Sequence, residues 1–322
     1  MQKYNMRRLK ADQGGFTLLE LLVVITLIAT LAVAALVAYD GVGDKAQAAA
    51  AADANVKVDN AIRQYKAVTN NYPNQWDNLV AQDTSLINAL PTQLLSVVTN
   101  WTLGAAASEV SLSLGRAGIN ELQNWITWNG PNTTGVIPNL AHNESFNSIN
   151  GRETEHFEEG GVGGSGPILN LAIVPGLGAP VGTCQASGVT IDATSVDPDG
   201  AGPLVAGGNY IQNRYSDALE GDECHLVVAL GFGSDAAAST ATSSVSIGKA
   251  PSFSKTDTAN PNNNVDPNVH YSRYIGLFLV GSDSDDNGNI TGNEYLNKAR
   301  LLTIIAPDGT IADQNLATAV QN

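Results

Sequence analysis

The chain has 322 residues, 43% hydrophobic and only 6% aromatic, which suffices for one good core or two small ones but not for a large multidomain enzyme. Its formal charge is −15, and a field that acidic disfavours nucleic acid and anionic lipid while suiting divalent cations or an extracellular life. Residues 1–15 oppose this balance, with Lys3, Arg7, Arg8 and Lys10 against Asp12, a net +3, so that the remainder carries −18. From Leu21 to Tyr39 there is no charged residue, Gly or Pro. About 20 apolar residues in a helix cross roughly 30 Å of hydrocarbon, so this run predicts a membrane span. The basic flank before it predicts, by the positive-inside rule, that everything after Tyr39 is translocated. Glu20 sits in the apolar start of the run, where a lone carboxylate costs at least about 2 to 3 kcal/mol and calls for a partner. The rival reading is an ordinary signal peptide or plain anchor. A signal peptide is cut after its apolar region, whereas Ala32-Val33-Ala34 lies inside a run too long for one.

A basic segment, then Gly15-Phe16-Thr17-Leu18-Leu19-Glu20 and an uninterrupted apolar span, resembles the type III signal of type IV pilins and type II secretion pseudopilins. The resemblance implies that a prepilin peptidase cuts after Gly15 and methylates the new amino terminus at Phe16, leaving Glu20 fifth in the mature chain. It also implies assembly through Phe16 and Glu20, the carboxylate of an incoming subunit neutralising the Phe16 amine of a neighbour inside a homo-oligomeric or mixed filament. The implied location is the inner membrane for the precursor, with the head outside the cytoplasm, and a periplasmic or extracellular filament after assembly. One departure concerns shape: many members carry a Pro near the end of the span, where this chain has Val37, so a straighter helix is expected.

Gly41 and Gly43 interrupt the helical pattern briefly before it resumes from Lys45 to Val68. Val58, Ala61, Ile62, Tyr65 and Val68 recur at helical spacing, with Lys57, Asp59, Arg63 and Lys66 elsewhere on the wheel. Residues 16–69 as one helix would be about 80 Å long, so the outer half must pack on the head. Asn70 to Asn74, with Pro73, ends it. Tyr72-Pro73 followed by Trp76 and Leu79 also resembles the segment after the long helix in major pseudopilins. Helical patterns are read at Gln75–Ala89, Thr92–Leu103 and Ala117–Trp128, with Trp76, Trp101, Trp125 and Trp128 as core anchors. Residues 129–166 read as loop, closing on a Gly-rich connector. After it, Ile168–Val174, Leu226–Phe232, Tyr274–Val280 and Leu301–Ala306 read as strands, and Ala236–Ser246 as loop.

The expected fold class is therefore α+β: a leader 1–15, a long helix 16–69 spanning the membrane over 16–39, and a head 70–322 with short helices and an antiparallel sheet. The head divides on this pattern into a helical part 70–159 and a β-rich part 167–322. Cys184 and Cys224 fall on the translocated side, where a disulfide persists, against the alternative of two buried thiols. No enzyme constellation assembles. The four histidines lack metal-binding helical spacing, Gly248-Lys249 is followed by Ala250, and His156 with Glu155, Glu158 and Glu159 reads as a solvated charged loop. Asn132-Thr133-Thr134 and Asn143-Glu144-Ser145 match the glycosylation pattern only. Asp283 to Glu294 resembles a twelve-residue EF-hand loop at each diagnostic position, which implies a Ca²⁺ held by Asp283, Asp285, Asn287, the Asn289 carbonyl, Thr291 and Glu294, with Gly288 at the sharp turn. Its flanks differ, a strand before and a helical pattern over Glu294–Leu302 after. The competing reading is an acidic turn whose side chains satisfy their own backbone. The function expected is a calcium-stabilised, non-enzymatic filament subunit; the alternative is a membrane-anchored binding module or enzyme that borrows the export route.

Overall fold

The computed structural model describes residues 17–39, 42–81, 86–87, 90–95, 97–125, 156–160, 170–175, 184–191, 224–257, 260–267 and 270–320. The leader, Gly15, Phe16, both glycosylation patterns, Trp128 and most of the 129–166 segment lie outside them. Contacts divide the chain into two compact units, Met1–Gly43 and Asp44–Asn322.

In the first unit, helix α1 runs Leu18–Tyr39. Leu18–Ala35 is long and apolar enough to cross a membrane, and every described side chain along it is exposed, Leu18 at 82%. Water is a poor solvent for such a surface, so lipid or other apolar helices must cover it. Thr26 and Thr30 return their hydroxyls to the carbonyls of Val23 and Leu27 at 2.9 Å, which leaves no polar group of theirs unpaired in an apolar medium.

Helix α2 (Val42–Thr69) includes Gly43 and stops where Asn70 takes a left-handed φ of 62° and donates its N–H to the Lys66 carbonyl at 2.8 Å. Its buried stripe is Ala51, Asn55, Val58 and Ile62, at helical spacing. Ala61 and Tyr65 are half-buried, but Val68, expected on the same face, is 58% exposed.

The strands are β1 (Trp76–Ala81), β2 (Thr99–Thr102), β3 (Glu121–Trp125), β4 (His156–Gly160), β5 (Asn170–Val174), β6 (Gln185–Ala186), β7 (Val189–Thr190), β8 (His225–Gly231), β9 (Ile275–Ser282), β10 (Asn289–Ile290) and β11 (Tyr295–Ile305). Eight form one sheet in the order β11-β9-β8-β1-β3-β4, with β5 also on β8 and β2 on β5; β6, β7 and β10 form a small second sheet. Pairing is antiparallel except β1 with β3 and β10 with β6, so the sheet is mixed and mostly antiparallel and the fold is α+β.

β8 and β9 are apolar runs buried on both faces. Alternation sends Leu226, Val228, Leu230, Phe278 and Val280 to the core that α2 covers, and Val227, Ala229, Ile275, Leu277 and Leu279 to the opposite one. The second core is closed by Leu94 of helix α3 (Thr92–Leu95) and by Ile311 at the start of the C-terminal helix Ala312–Val320.

Several local expectations fail. The stretches read as helices contribute strands β1, β2 and β3, and among their described residues only Thr92–Leu95 is helical. Helix α4 (Ala107–Arg116), unanticipated, hides its apolar face among serines, burying Ala107, Val110, Ser111 and Leu114. The charged cluster read as loop carries β4, and part of the stretch Ala236–Ser246 is helix α5 (Ser234–Ala238). After Glu294 comes a strand rather than a helix: a single 3₁₀ turn, Gly292–Glu294, leads into β11, whose β-branched end pairs along β9.

Candidate functional site

Two places bring chemistry-bearing side chains together. At the start of α1, the Thr17 Oγ1 accepts the Glu20 N–H at 3.2 Å, while Glu20 Oε2 accepts the Thr17 N–H at 2.9 Å and its hydroxyl at 3.1 Å. This is a reciprocal capping box: a carboxylate three residues into the helix satisfies a donor that the first turn otherwise leaves orphaned, and its charge complements the helix dipole. Glu20, expected to find its partner in a neighbouring subunit, thus has a local partner already. The Thr-x-x-Glu spacing was in the sequence and carries this reading by itself.

The second place is residues 283–294, between β9 and β11. Asp283, only 2% exposed, accepts the N–H groups of Asn287 at 3.3 Å and Gly288 at 2.6 Å. Gly288, at φ 79°, supplies the left-handed turn. Asp285 Oδ1 accepts the Asn287 N–H at 3.2 Å, and Asn287 Oδ1 that of Asn289 at 2.8 Å. Glu294 reaches back across the loop, accepting the Ser284 N–H on one oxygen and the Thr291 N–H on the other, both at 2.9 Å. Burial pushes the Glu294 carboxyl up, but those amides and the Ser284 hydroxyl outweigh it and hold it below the usual carboxylate range.

Ligand oxygens of Asp283, Asp285 and Glu294 lie within 4.8 Å of one another. Two oxygens each about 2.4 Å from one Ca²⁺ can be at most about 4.8 Å apart, a condition that each pair of these three meets. The same carboxylates are also bonded to their own backbone, the other reading of the loop. Thr291 gives its N–H to Glu294 in a capping box, and its hydroxyl lies 3.5 Å from the same carboxylate.

The sequence gives little sign of what holds the loop from outside. The hairpin β6–β7 turns at Ser187 and Gly188, both at positive φ, and Gly188 donates its N–H to Asn289 Oδ1 at 2.9 Å. Gln185 and Ser187 donate theirs to the carbonyls of Gly288 and Ile290 at 2.8 and 2.9 Å. Strand alternation therefore turns the Asn289 carbonyl away from the hairpin. Cys184 and Cys224 are joined in a disulfide, their Cα atoms 5.4 Å apart. The Ser-Gly dipeptide is the one local signal of this hairpin.

Of the histidines among the described residues, buried His225 lies with Nδ1 2.8 Å from Ser282 Oγ, and His270 Nδ1 accepts the Asp266 N–H at 3.1 Å. His156 is on β4, separated from His225 on β8 by β1 and β3 in the sheet order.

Over residues 10–36 the chain matches the family model described as the prokaryotic N-terminal methylation motif. No curated protein and no solved structure matches the chain. With α1, the motif fits membrane insertion of a precursor. A capped Glu20 and an exposed apolar helix thus fall inside a prokaryotic N-terminal methylation motif, and the chain carries the signal of type IV pilins and pseudopilins.

Proposed function

We propose that this protein is a structural subunit of a type IV pilus-like or type II secretion pseudopilus filament, assembled from the membrane through α1. The observation that carries the reading is the methylation motif over residues 10–36, with α1 exposed along its described length. Polymerisation supplies what the isolated helix lacks, since bundling many such helices covers each one's apolar surface with its neighbours'. Processing is expected to remove residues 1–15 and leave an N-methylated Phe16. The check is intact-mass measurement on purified filaments: a chain starting at Met1, or anywhere after Tyr39, defeats the proposal.

A second reading concerns the head and is favoured by the convergence of Asp283, Asp285 and Glu294. One Ca²⁺ would be held by these carboxylates with Asn287, the Asn289 carbonyl and Thr291, and its chemistry would be structural, a hard cation offsetting the repulsion of clustered carboxylates. A site of extracellular affinity, with Kd of about 10⁻⁴ to 10⁻³ M, stabilises by about 1.4 kcal/mol at ten times Kd. The unfolding midpoint of the detergent-solubilised full-length protein should therefore rise by about 3 to 6 °C in calcium over EGTA. Asp283→Ala should abolish that rise. If the parent shows no rise, or the variant shows the same one, the loop is an acidic turn and nothing more.

A further inference from the structure

The disulfide and the 283–294 loop are wired together at both cysteines. On one side the Cys224 carbonyl accepts the N–H of Asp283, the first residue of the loop, at 2.8 Å. On the other, Cys184 leads directly into the hairpin, whose Gln185, Ser187 and Gly188 N–H groups bond the loop at Gly288, Ile290 and Asn289. The Cys184 carbonyl closes the hairpin by accepting the Ile191 N–H at 2.9 Å. Ser187 Oγ also lies 2.7 Å from the hydroxyl of Tyr295, the residue just after the loop. The loop has one apolar anchor within, Ile290, fully buried and pressed on Gly281, where an added Cβ would come within 2.8 Å of Ile290 Cγ2. Hairpin, bridge and loop therefore share one set of bonds.

We propose that the disulfide-anchored hairpin 184–191 is a brace that sets the shape of the 283–294 loop, so that the Cys184–Cys224 bond and the order of the loop are energetically coupled. A two-residue-strand hairpin is too short to hold itself in water. Its position depends on the covalent tie at Cys184, and the loop's central turn depends on the hairpin. Coupling of this kind is reciprocal: severing the bridge loosens the loop, and loosening the loop exposes the bridge, whose cysteines are only 0% and 4% exposed.

The proposal concerns the same loop as the calcium reading, so both measurements are made in EGTA, where the failure of one leaves the other standing. The first is amide hydrogen exchange on the full-length protein in detergent, comparing the parent with the double variant Cys184→Ala/Cys224→Ala. The N–H groups of Ser284, Gly288 and Asn289 should exchange at least tenfold faster, while those of Leu277 and Phe278 in β9 change by less than threefold. An equal acceleration at every amide, or none in the loop, overturns the proposal. The second keeps both cysteines and cuts from the loop side with Asn289→Ala, which removes the acceptor for Gly188. A small dithiol then supplies two electrons and two protons to the Cys184–Cys224 bond, closing to its own disulfide, and the freed thiols are alkylated and counted by mass. Reduction should be at least threefold faster than in the parent. An unchanged rate overturns the coupling even where the double variant fails to fold.

Discussion

Glu20→Ala is expected to leave membrane insertion intact and to lower filament yield at least tenfold. Removing a carboxylate makes the span more apolar, so the precursor should accumulate in the membrane as well as the parent does. Two things are lost: the cap on the Thr17 N–H, and the negative charge available to a neighbour's Phe16 amine. Loss of a cap costs about 0.5 to 2 kcal/mol in the first turn. An uncompensated charge in an apolar interior costs at least about 2.5 kcal/mol, more than the tenfold equivalent of about 1.4 kcal/mol. Charge should therefore dominate, and Glu20→Gln separates the two, because an amide oxygen can still accept from Thr17 but carries no charge. Sheared filaments and membrane fractions are quantified by immunoblot. If Glu20→Gln assembles as well as the parent, the carboxylate acts as a cap alone and the pairing argument fails.

What can be read from the sequence divides by the range of the interactions that decide it. β8 and β9 are legible because each is a continuous apolar run bounded by Gly or polar residues. The α2 stripe is legible because its period is local, and its limit at Ile62 is not, since Val68 extends the pattern past the surface the helix covers. The helical reading of Gln75–Ala89 fails for the opposite reason. Asp77 and Asn78 are weak helix formers, and their strand exists because Gly231 and Leu230, more than 150 positions away, offer an edge to pair with. The acidic loop resembles an EF-hand loop from sequence because its carboxylates sit at fixed local spacing and converge through one turn at Gly288. Its brace does not, because Gln185 and Asn289 meet only through the topology of the small sheet. Glu20 shows both sides at once: its local cap is written in Thr-x-x-Glu, and the pairing proposed for it in a filament would be a property of more than one chain.

Trp76→Ala is expected to destabilise the head by about 3 to 5 kcal/mol, the range for deleting a buried aromatic, which lowers its unfolding midpoint by about 6 to 20 °C. The indole is fully buried at the crossing of β1 with the central strands. It meets Phe232 and Phe278 edge-on, with ring centroids 5.2 and 5.0 Å away, and its Nε1 donates to the Pro73 carbonyl at 2.8 Å. Truncation therefore opens a cavity, loses two aromatic contacts and leaves the chain reversal after α2 without its tie. Gly276 on β9 shows how close the fit is, because a Cβ there would come within 2.7 Å of the indole and 2.9 Å of the Phe278 ring. Gly276→Ala should thus be destabilising in its own right, by overpacking rather than by a void. The two effects have opposite sign in volume, so combining Gly276→Ala with Trp76→Phe should cost less than the sum of the single variants. Thermal unfolding of the parent and these four variants in one detergent measures all of this. A midpoint shift below about 2 °C for Trp76→Ala, equivalent to about 0.5 to 1 kcal/mol instead of about 3 to 5, would mean that the core closes without the indole.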